Sequence, residues 1–127
     1  MSTEQNKAVV RRWMTEVLQG GDLETIDEVL APDYVNPAMG DTDRAGMRAL
    51  LTQLRAAGTW HFSEIDLVAE GDAVVARFIL MITQTGGERL TAHGLTYYRL
   101  VDGRIVEDDP FARPDLAQLL GVAPLAP

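Results

Sequence analysis

The chain has 127 residues, which is long enough to bury one hydrophobic core and too short for two domains of ordinary size, so we expect a single domain over residues 1–127. Its content of 46% hydrophobic and 24% charged residues is typical of a globular protein and unlike that of a disordered chain. The formal net charge of −8, without any basic run, argues against nucleic acid as a partner and against an anionic membrane surface.

The chain contains no cysteine, which excludes disulfides, thiolate nucleophiles and thiolate metal sites. Residues 1–10 are polar and lack the basic start and apolar stretch of a signal peptide. No apolar run approaches the length of a membrane span. We therefore expect a cytoplasmic protein.

A first amphipathic helix is predicted near the N-terminus. Apolar residues recur at helical spacing between Val9 and Leu18. Ser2 and Gln5 form a capping-box pattern before them, and Gly20 follows them, as is typical of a helix end.

Two further helices are predicted. The second begins after Asp22 and ends before Pro32, because the residue preceding a proline avoids helical angles. The third begins after Asp43 and ends with Ala57 before Gly58, and its apolar stripe consists of Met47, Leu50, Leu51 and Leu54.

Four strands are predicted in the second half of the chain. Asp102-Gly103 between the last two indicates a hairpin, because both central residues of a type I′ turn need positive φ angles. Consecutive strands are thus expected to be antiparallel neighbours. The predicted strands are Trp60 to Ala69, Ala73 to Thr83, Arg89 to Val101 and Arg104 to Asp109.

The second of these strands is apolar on nearly both faces, so each side of the sheet needs a cover. The helices are expected on one side. A second subunit is expected on the other side, which predicts a homodimer or a higher homo-oligomer through the sheet. After Pro110, a short helix is predicted over Asp115 to Leu120, followed by a fraying tail.

Three stretches carry a resemblance to a known family: "VVRRWMTEVLQGGDLETIDEVLAPDYVNPA" (9–38), "TWHFSEIDLVAEGDAVVARF" (59–78) and "YYRLVDGRIVEDD" (97–109). Together with the closing "LAQLLG" they resemble the SnoaL-like polyketide cyclases of the nuclear transport factor two-like superfamily over nearly the whole chain. The resemblance implies an α+β fold in which a cone-shaped, curved antiparallel sheet wraps over three N-terminal helices, as an α+β barrel, around an apolar pocket.

The resemblance also implies an activity and site residues. SnoaL-like cyclases close a polyketide ring by intramolecular aldol condensation with an aspartate, a histidine and an asparagine. Asn36 matches the asparagine directly. Without gaps, the aspartate position falls on Pro110, next to Asp109, and the histidine position falls on Thr96, three residues beyond His93.

The carboxylates of Asp108 and Asp109 are the candidates for general acid/base chemistry, since desolvation in an apolar cavity raises a carboxyl pKa. Consecutive strand residues point to opposite faces. Strand alternation favours Asp108 as the inward carboxylate, whereas proximity to the family's aspartate favours Asp109. The alternative interpretation is a solvated strand end before a proline turn.

His93 is the candidate for orienting or protonating an enolate oxygen, and a surface or dimer-face position is the alternative. His61 is expected to be structural. The two histidines show no metal-ligand spacing, and we expect no metal and no cofactor.

Asn36 is expected to bind a ligand carbonyl or else to serve as an ordinary turn residue before a proline. Aromatic and hydroxyl side chains are expected to line the pocket, although aromatic residues at such spacings are often core. The candidates for substrate binding are Asn36, Tyr34, Trp13, Trp60, Thr96, Tyr98 and Phe111.

We therefore expect a cofactor-free lyase or isomerase that acts on a small apolar, aromatic or polyketide-like ligand. The alternatives are a cofactor-free hydroxylase or epoxide hydrolase on the same scaffold and a non-catalytic small-ligand-binding protein. An epoxide hydrolase would require an Asp-Arg-Asp network, for which Arg77 and Arg99 are the available arginines in the central strands.

Overall fold

The structure of the protein is a computed structural model that describes residues 1–114. The helix expected over Asp115 to Leu120 and the tail behind it lie outside the described residues. Helix α1 (Thr3–Arg12) continues as a π-helix (Trp13–Gln19), and a 3₁₀ turn (Leu23–Thr25) leads into α2 (Ile26–Val29); α3 is Arg44–Ala57. The strands are β1 (Leu30–Asn36), β2 (Thr42–Asp43), β3 (Gly58–Glu70), β4 (Ala73–Gln84), β5 (Arg89–Val101) and β6 (Arg104–Arg113).

The predicted helix starts are confirmed. The amide N–H of Gln5 donates to the Ser2 hydroxyl at 3.1 Å, and the Ser2 amide donates to the Gln5 side chain at 2.8 Å, which completes the capping box. Asp43 accepts a 2.8 Å hydrogen bond from the Gly46 amide at the start of α3. The second helix is shorter than expected, because the chain is already extended at Leu30, where β1 begins.

The six strands form one curved sheet in the order β2-β1-β6-β5-β4-β3. Strands β3 to β6 are antiparallel neighbours, as predicted. The expected α+β fold with a curved sheet over three N-terminal helices is confirmed. The sheet is mixed and unclosed, because β1 runs parallel to β6 and, within residues 1–114, β2 and β3 remain unjoined edges. A parallel pair needs a long crossover, and here α3 and three long strands lie between β1 and β6 in the chain.

The hairpin predicted at Asp102-Gly103 is present, with φ angles of 50° and 78°. Strand β6 runs past Asp109, where the sequence predicted its end, to Arg113, and Pro110 pairs with Thr96 of β5. Pro110 has no backbone N–H to donate. On the β1 side of β6 no hydrogen bond is lost by this, because β1 pairs with β6 only as far as Glu107.

The hydrophobic core lies between the helices and the inner face of the sheet. The π-helix contributes Trp13, Met14 and Val17, and β4 contributes alternate residues such as Val74 and Leu80. The residues of β4 that lie between these buried ones point to the outer face of the sheet. None of the helices within the described residues is both long enough and apolar enough to cross a bilayer.

Candidate active site

A cavity of about 50 Å³ lies between the inner face of the sheet and the helices. This volume is several times what one ordered water needs, so the cavity admits a small ligand group without rearrangement. Its wall is mostly apolar. The lining residues are Trp13, Met14, Leu18, Asn36, Met39, Met47, Leu50, Leu51, Leu54, Trp60, Phe62, Phe78, Leu80, Thr96, Tyr98, Asp108 and Pro110.

Asp108 is the one ionisable carboxyl among these lining residues, and it is 5% exposed. A β-bulge positions it. Arg99 pairs with Glu107 but the next residue of β5 pairs with Ile105, so Val106 is the extra residue of β6. Ile105 and Val106 are both buried, and alternation then resumes with Asp108 facing the helices.

Burial raises the pKa of Asp108 from 3.8 to about 7, with a smaller contribution in the same direction from the charge of Asp109. The Tyr34 hydroxyl opposes this shift, because it donates a 2.6 Å hydrogen bond to Oδ2 of Asp108 and so stabilises the ionised form. A carboxyl with a pKa near neutrality exists in both protonation states at physiological pH and can take up and return a proton.

Two tyrosines surround this carboxyl. Burial raises the pKa of Tyr34 well above its usual value, and the charge of Asp108 raises it further. The same two causes raise the pKa of Tyr98, whereas Thr96 and Trp13 lower it. Both phenols therefore stay protonated at neutral pH and can donate hydrogen bonds. Tyr98 lines the cavity, whereas Tyr34 is packed behind Asp108 and does not.

Asn36 has the turn role and also reaches the cavity wall. Its Oδ1 accepts a 3.1 Å hydrogen bond from the Met39 amide and caps the 3₁₀ turn that begins at Pro37. The same side chain lowers the pKa of Tyr34. Trp60 and Thr96 also lie on the cavity wall, in the positions expected from the sequence.

Three expected site residues lie elsewhere. Asp109 pairs with Tyr97, one position out of phase with Asp108, and therefore faces the outer side of the sheet. His93 and Phe111 are exposed and border a hollow on that outer face. Strand alternation puts these three side chains on the opposite face from Asp108, so Asp109 and Phe111 lie outside the pocket and His93 has the surface position that was its alternative.

The two positions that a gapless match to the family assigns to its aspartate and histidine are occupied by Pro110 and Thr96. These two residues are direct partners across β5 and β6, and both line the cavity. The catalytic positions of the family pattern thus point inward here but carry no ionisable group. Asp108 lies on the same face of β6, one pleat closer to the bulge.

Four further wall residues come from α3, and none of them was among the site candidates. Met47, Leu50, Leu51 and Leu54 of α3 face the cavity. Their spacing had indicated the apolar stripe of an amphipathic helix, and this stripe was the available signal. No cluster of three or more His, Asp or Glu side chains suited to a metal occurs within residues 1–114.

Comparison with known proteins finds a family and several solved structures that are similar to this chain. The SnoaL-like domain model matches residues 10–108. A proposed polyketide cyclase from Acidithiobacillus ferrooxidans is 27% identical, with 95% of this chain and 98% of that chain covered at a TM-score of 0.75. No curated protein sequence matches the chain.

Two more distant structures share the fold. An NTF2-like protein from Burkholderia xenovorans is 18% identical, with a TM-score of 0.77 and coverage of 93% of this chain and 97% of that chain. An LEH-like epoxide hydrolase from M. tuberculosis is 21% identical, with a TM-score of 0.78 and coverage of 93% and 90%. Because the family model spans residues 10–108, which is most of the chain and ends at the buried Asp108, the chain belongs to the family of SnoaL-like domains.

Proposed function

We propose that the protein is a cofactor-free lyase or isomerase of the polyketide cyclase type, in which Asp108 is the general acid/base. The observation that carries the proposal is a single carboxyl group with a pKa of about 7 in the wall of an apolar cavity. Such a group suits a neutral substrate with an acidic C–H next to a carbonyl.

The reaction conserves atoms and electrons without a further reagent. The Asp108 carboxylate removes the proton from the carbon next to a carbonyl, and the electron pair of that C–H bond forms an enolate. The enolate carbon attacks a second carbonyl of the same molecule, a C–C bond forms, and protonated Asp108 returns the proton to the new alkoxide. If the substrate also has a C=C bond conjugated with the enolate, return of the proton to the far carbon of that dienolate shifts the double bond, which is an isomerisation.

The wall favours a small, weakly polar substrate. A second hollow of about 40 Å³ lies beside the cavity, and Leu54 and Trp60 border both spaces. We expect a ligand of one or two rings to occupy both hollows after a change of side-chain rotamer at these two residues. The similarity to a proposed polyketide cyclase supports this substrate class.

Epoxide hydrolysis is the weaker candidate. The sequence offered Arg77 and Arg99 for an Asp-Arg-Asp network, but both arginines pair on the outer face: Arg77 with Asp66 at 3.1 Å and Arg99 with Glu107 at 3.5 Å. Neither contributes to the cavity wall. The hydrogen-bond partner of Asp108 is therefore the Tyr34 hydroxyl rather than an arginine.

The test is proton exchange on indan-2-one, a small neutral ketone with acidic C–H bonds next to its carbonyl. We expect the protein to accelerate the loss of the C1 and C3 proton signals in D₂O, followed by NMR. The Asp108→Asn variant should exchange about 10²- to 10⁴-fold more slowly, in line with the usual size of general base catalysis. The matched control is Asp109→Asn on the outer face, which should retain most of the rate, because the charge of Asp109 makes only a smaller contribution to the pKa of Asp108.

Equal exchange rates for the protein and its Asp108→Asn variant would refute the general base. A non-catalytic binding protein would bind the ketone but leave its exchange at the buffer rate. A hydrolase would instead convert styrene oxide in H₂¹⁸O to the labelled diol.

A further inference from the structure

The indole N–H of Trp13 is a buried hydrogen-bond donor without an acceptor. Trp13 is 1% exposed, and among the residues that the structure describes its Nε1 atom has no hydrogen-bond partner. Buried donors in native proteins are nearly always paired, because a lost partner costs free energy. An acceptor beyond residues 1–114, such as an atom of a bound ligand, is therefore expected at this atom.

Trp13 belongs to the wall of the cavity. It is the first residue of the π-helix, a rare helix type that often occurs at functional sites. Its ring packs against that of Tyr34, with ring centroids 6.4 Å apart and planes tilted by 55°. This packing holds the indole in one orientation, so the donor is positioned before any ligand arrives.

The Tyr98 hydroxyl does not satisfy the indole. Trp13 lies close enough to Tyr98 to lower the pKa of that phenol, but the contact lacks the geometry of a hydrogen bond. Both groups line the same cavity. Two residues of this wall thus carry neutral donors, the indole N–H of Trp13 and the phenol O–H of Tyr98, and both groups remain protonated at neutral pH.

We propose that the N–H of Trp13, together with the Tyr98 hydroxyl, binds a carbonyl oxygen of a neutral ketone in this cavity. The inference rests on the proposed function in one respect, since this carbonyl is the one whose neighbouring C–H loses its proton to Asp108. Negative charge grows on that oxygen as the enolate forms, and donors already in place stabilise it. A ligand carboxylate is disfavoured, because Asp108 is nearby and the lining residues include no Lys, Arg or His.

The measurement is the ¹H–¹⁵N spectrum of the two indole groups during titration with indan-2-one. The Trp13→Phe variant identifies the Trp13 signal by its loss, and Trp60→Phe identifies it by elimination if the first variant does not fold. We expect the Trp13 signal to move downfield with indan-2-one. It should stay in place with 2-methyleneindane, which has a similar shape but no acceptor oxygen.

The ketone should also bind about tenfold more tightly than 2-methyleneindane, and this preference should shrink in Trp13→Phe, even if that variant binds both ligands more weakly. Asp108→Asn should keep the downfield shift while losing proton exchange. Equal affinity for the two ligands would overturn the inference, and so would a Trp13 indole signal whose chemical shift does not change when the ketone is added.

These readouts separate the two proposals. If the protein catalyses proton exchange but the Trp13 indole signal does not shift, the carbonyl site is refuted and the proposed role of Asp108 stands. A Trp13 response without exchange keeps the carbonyl site and removes the general base. Absence of both effects with indan-2-one overturns both.

Discussion

The Tyr34 hydroxyl donates a 2.6 Å hydrogen bond to Oδ2 of Asp108, and 74 positions of the chain separate the two residues. Both side chains are buried. The bond acts against desolvation: burial favours the protonated carboxyl, whereas the hydroxyl favours the carboxylate. This balance sets the pKa near 7, and it makes the behaviour of the site dependent on pH.

The first prediction concerns the pH dependence of proton exchange. Because the base must be ionised, the rate should rise with pH through about 7. Tyr34→Phe removes the hydrogen bond that lowers the pKa of Asp108, so the rise should move to higher pH by about one unit. The measurement is the exchange rate of indan-2-one across pH 5 to 9. Tyr97→Phe, whose tyrosine pairs with Asp109 on the outer face, is the control and should leave the profile in place.

The second prediction concerns stability. The pKa of Asp108 is raised on folding, so the folded protein binds more protons than the unfolded chain between pH 3.8 and about 7. Stability from this group is present at low pH and is lost as pH rises through about 7, by at most about 4 kcal/mol. Asp108→Asn cannot ionise and should therefore be more stable than the natural protein at pH 8. Urea unfolding at pH 5 and pH 8 measures the difference, and a gap between the two proteins that does not widen with pH would contradict the raised pKa.

The third prediction concerns the packing of Gly94 of β5. A Cβ atom at this position would lie 2.5 Å from the ring of Phe78, which is 4% exposed and lines the cavity. Gly94→Ala should therefore push the ring aside and lower the free energy of unfolding by about 1–3 kcal/mol. Gly86→Ala is the matched control, because a Cβ atom there meets nothing within 4 Å, and it should change stability by less than about 0.5 kcal/mol. Chemical denaturation of both variants decides the point.

The fourth prediction keeps the proposal of a homodimer through the outer face of the sheet. Leu95 and Phe111 are direct strand partners there and are 46% and 62% exposed. Arg77 and Glu64 of opposite charge border the same hollow, as a self-complementary two-fold interface requires. Phe111→Arg should weaken dimerisation at least about tenfold. Sedimentation analysis measures the change, with the exposed Gln53→Arg on α3 as control, and a monomeric natural protein would contradict the proposal.

Local patterns were sufficient for the helices and hairpins. The capping box at Ser2, the cap at Asp43 and the turn at Asp102-Gly103 each depend on residues within a few positions of one another. The short edge strand β2 and the parallel pairing of β1 with β6 had no local signal. Such pairings depend on which distant segments bury their apolar faces together.

The site shows the same division between local and long-range causes. Sequence alone determined that Asp108 points away from its neighbours Glu107 and Asp109, because successive strand residues alternate between faces. Only the tertiary structure decided which of the two faces meets the helices. A bulge of a single residue at Val106 sets that phase. The hydrogen bond from Tyr34 to Asp108, and the cavity that Asp108 lines together with α3, join segments that are remote in the chain.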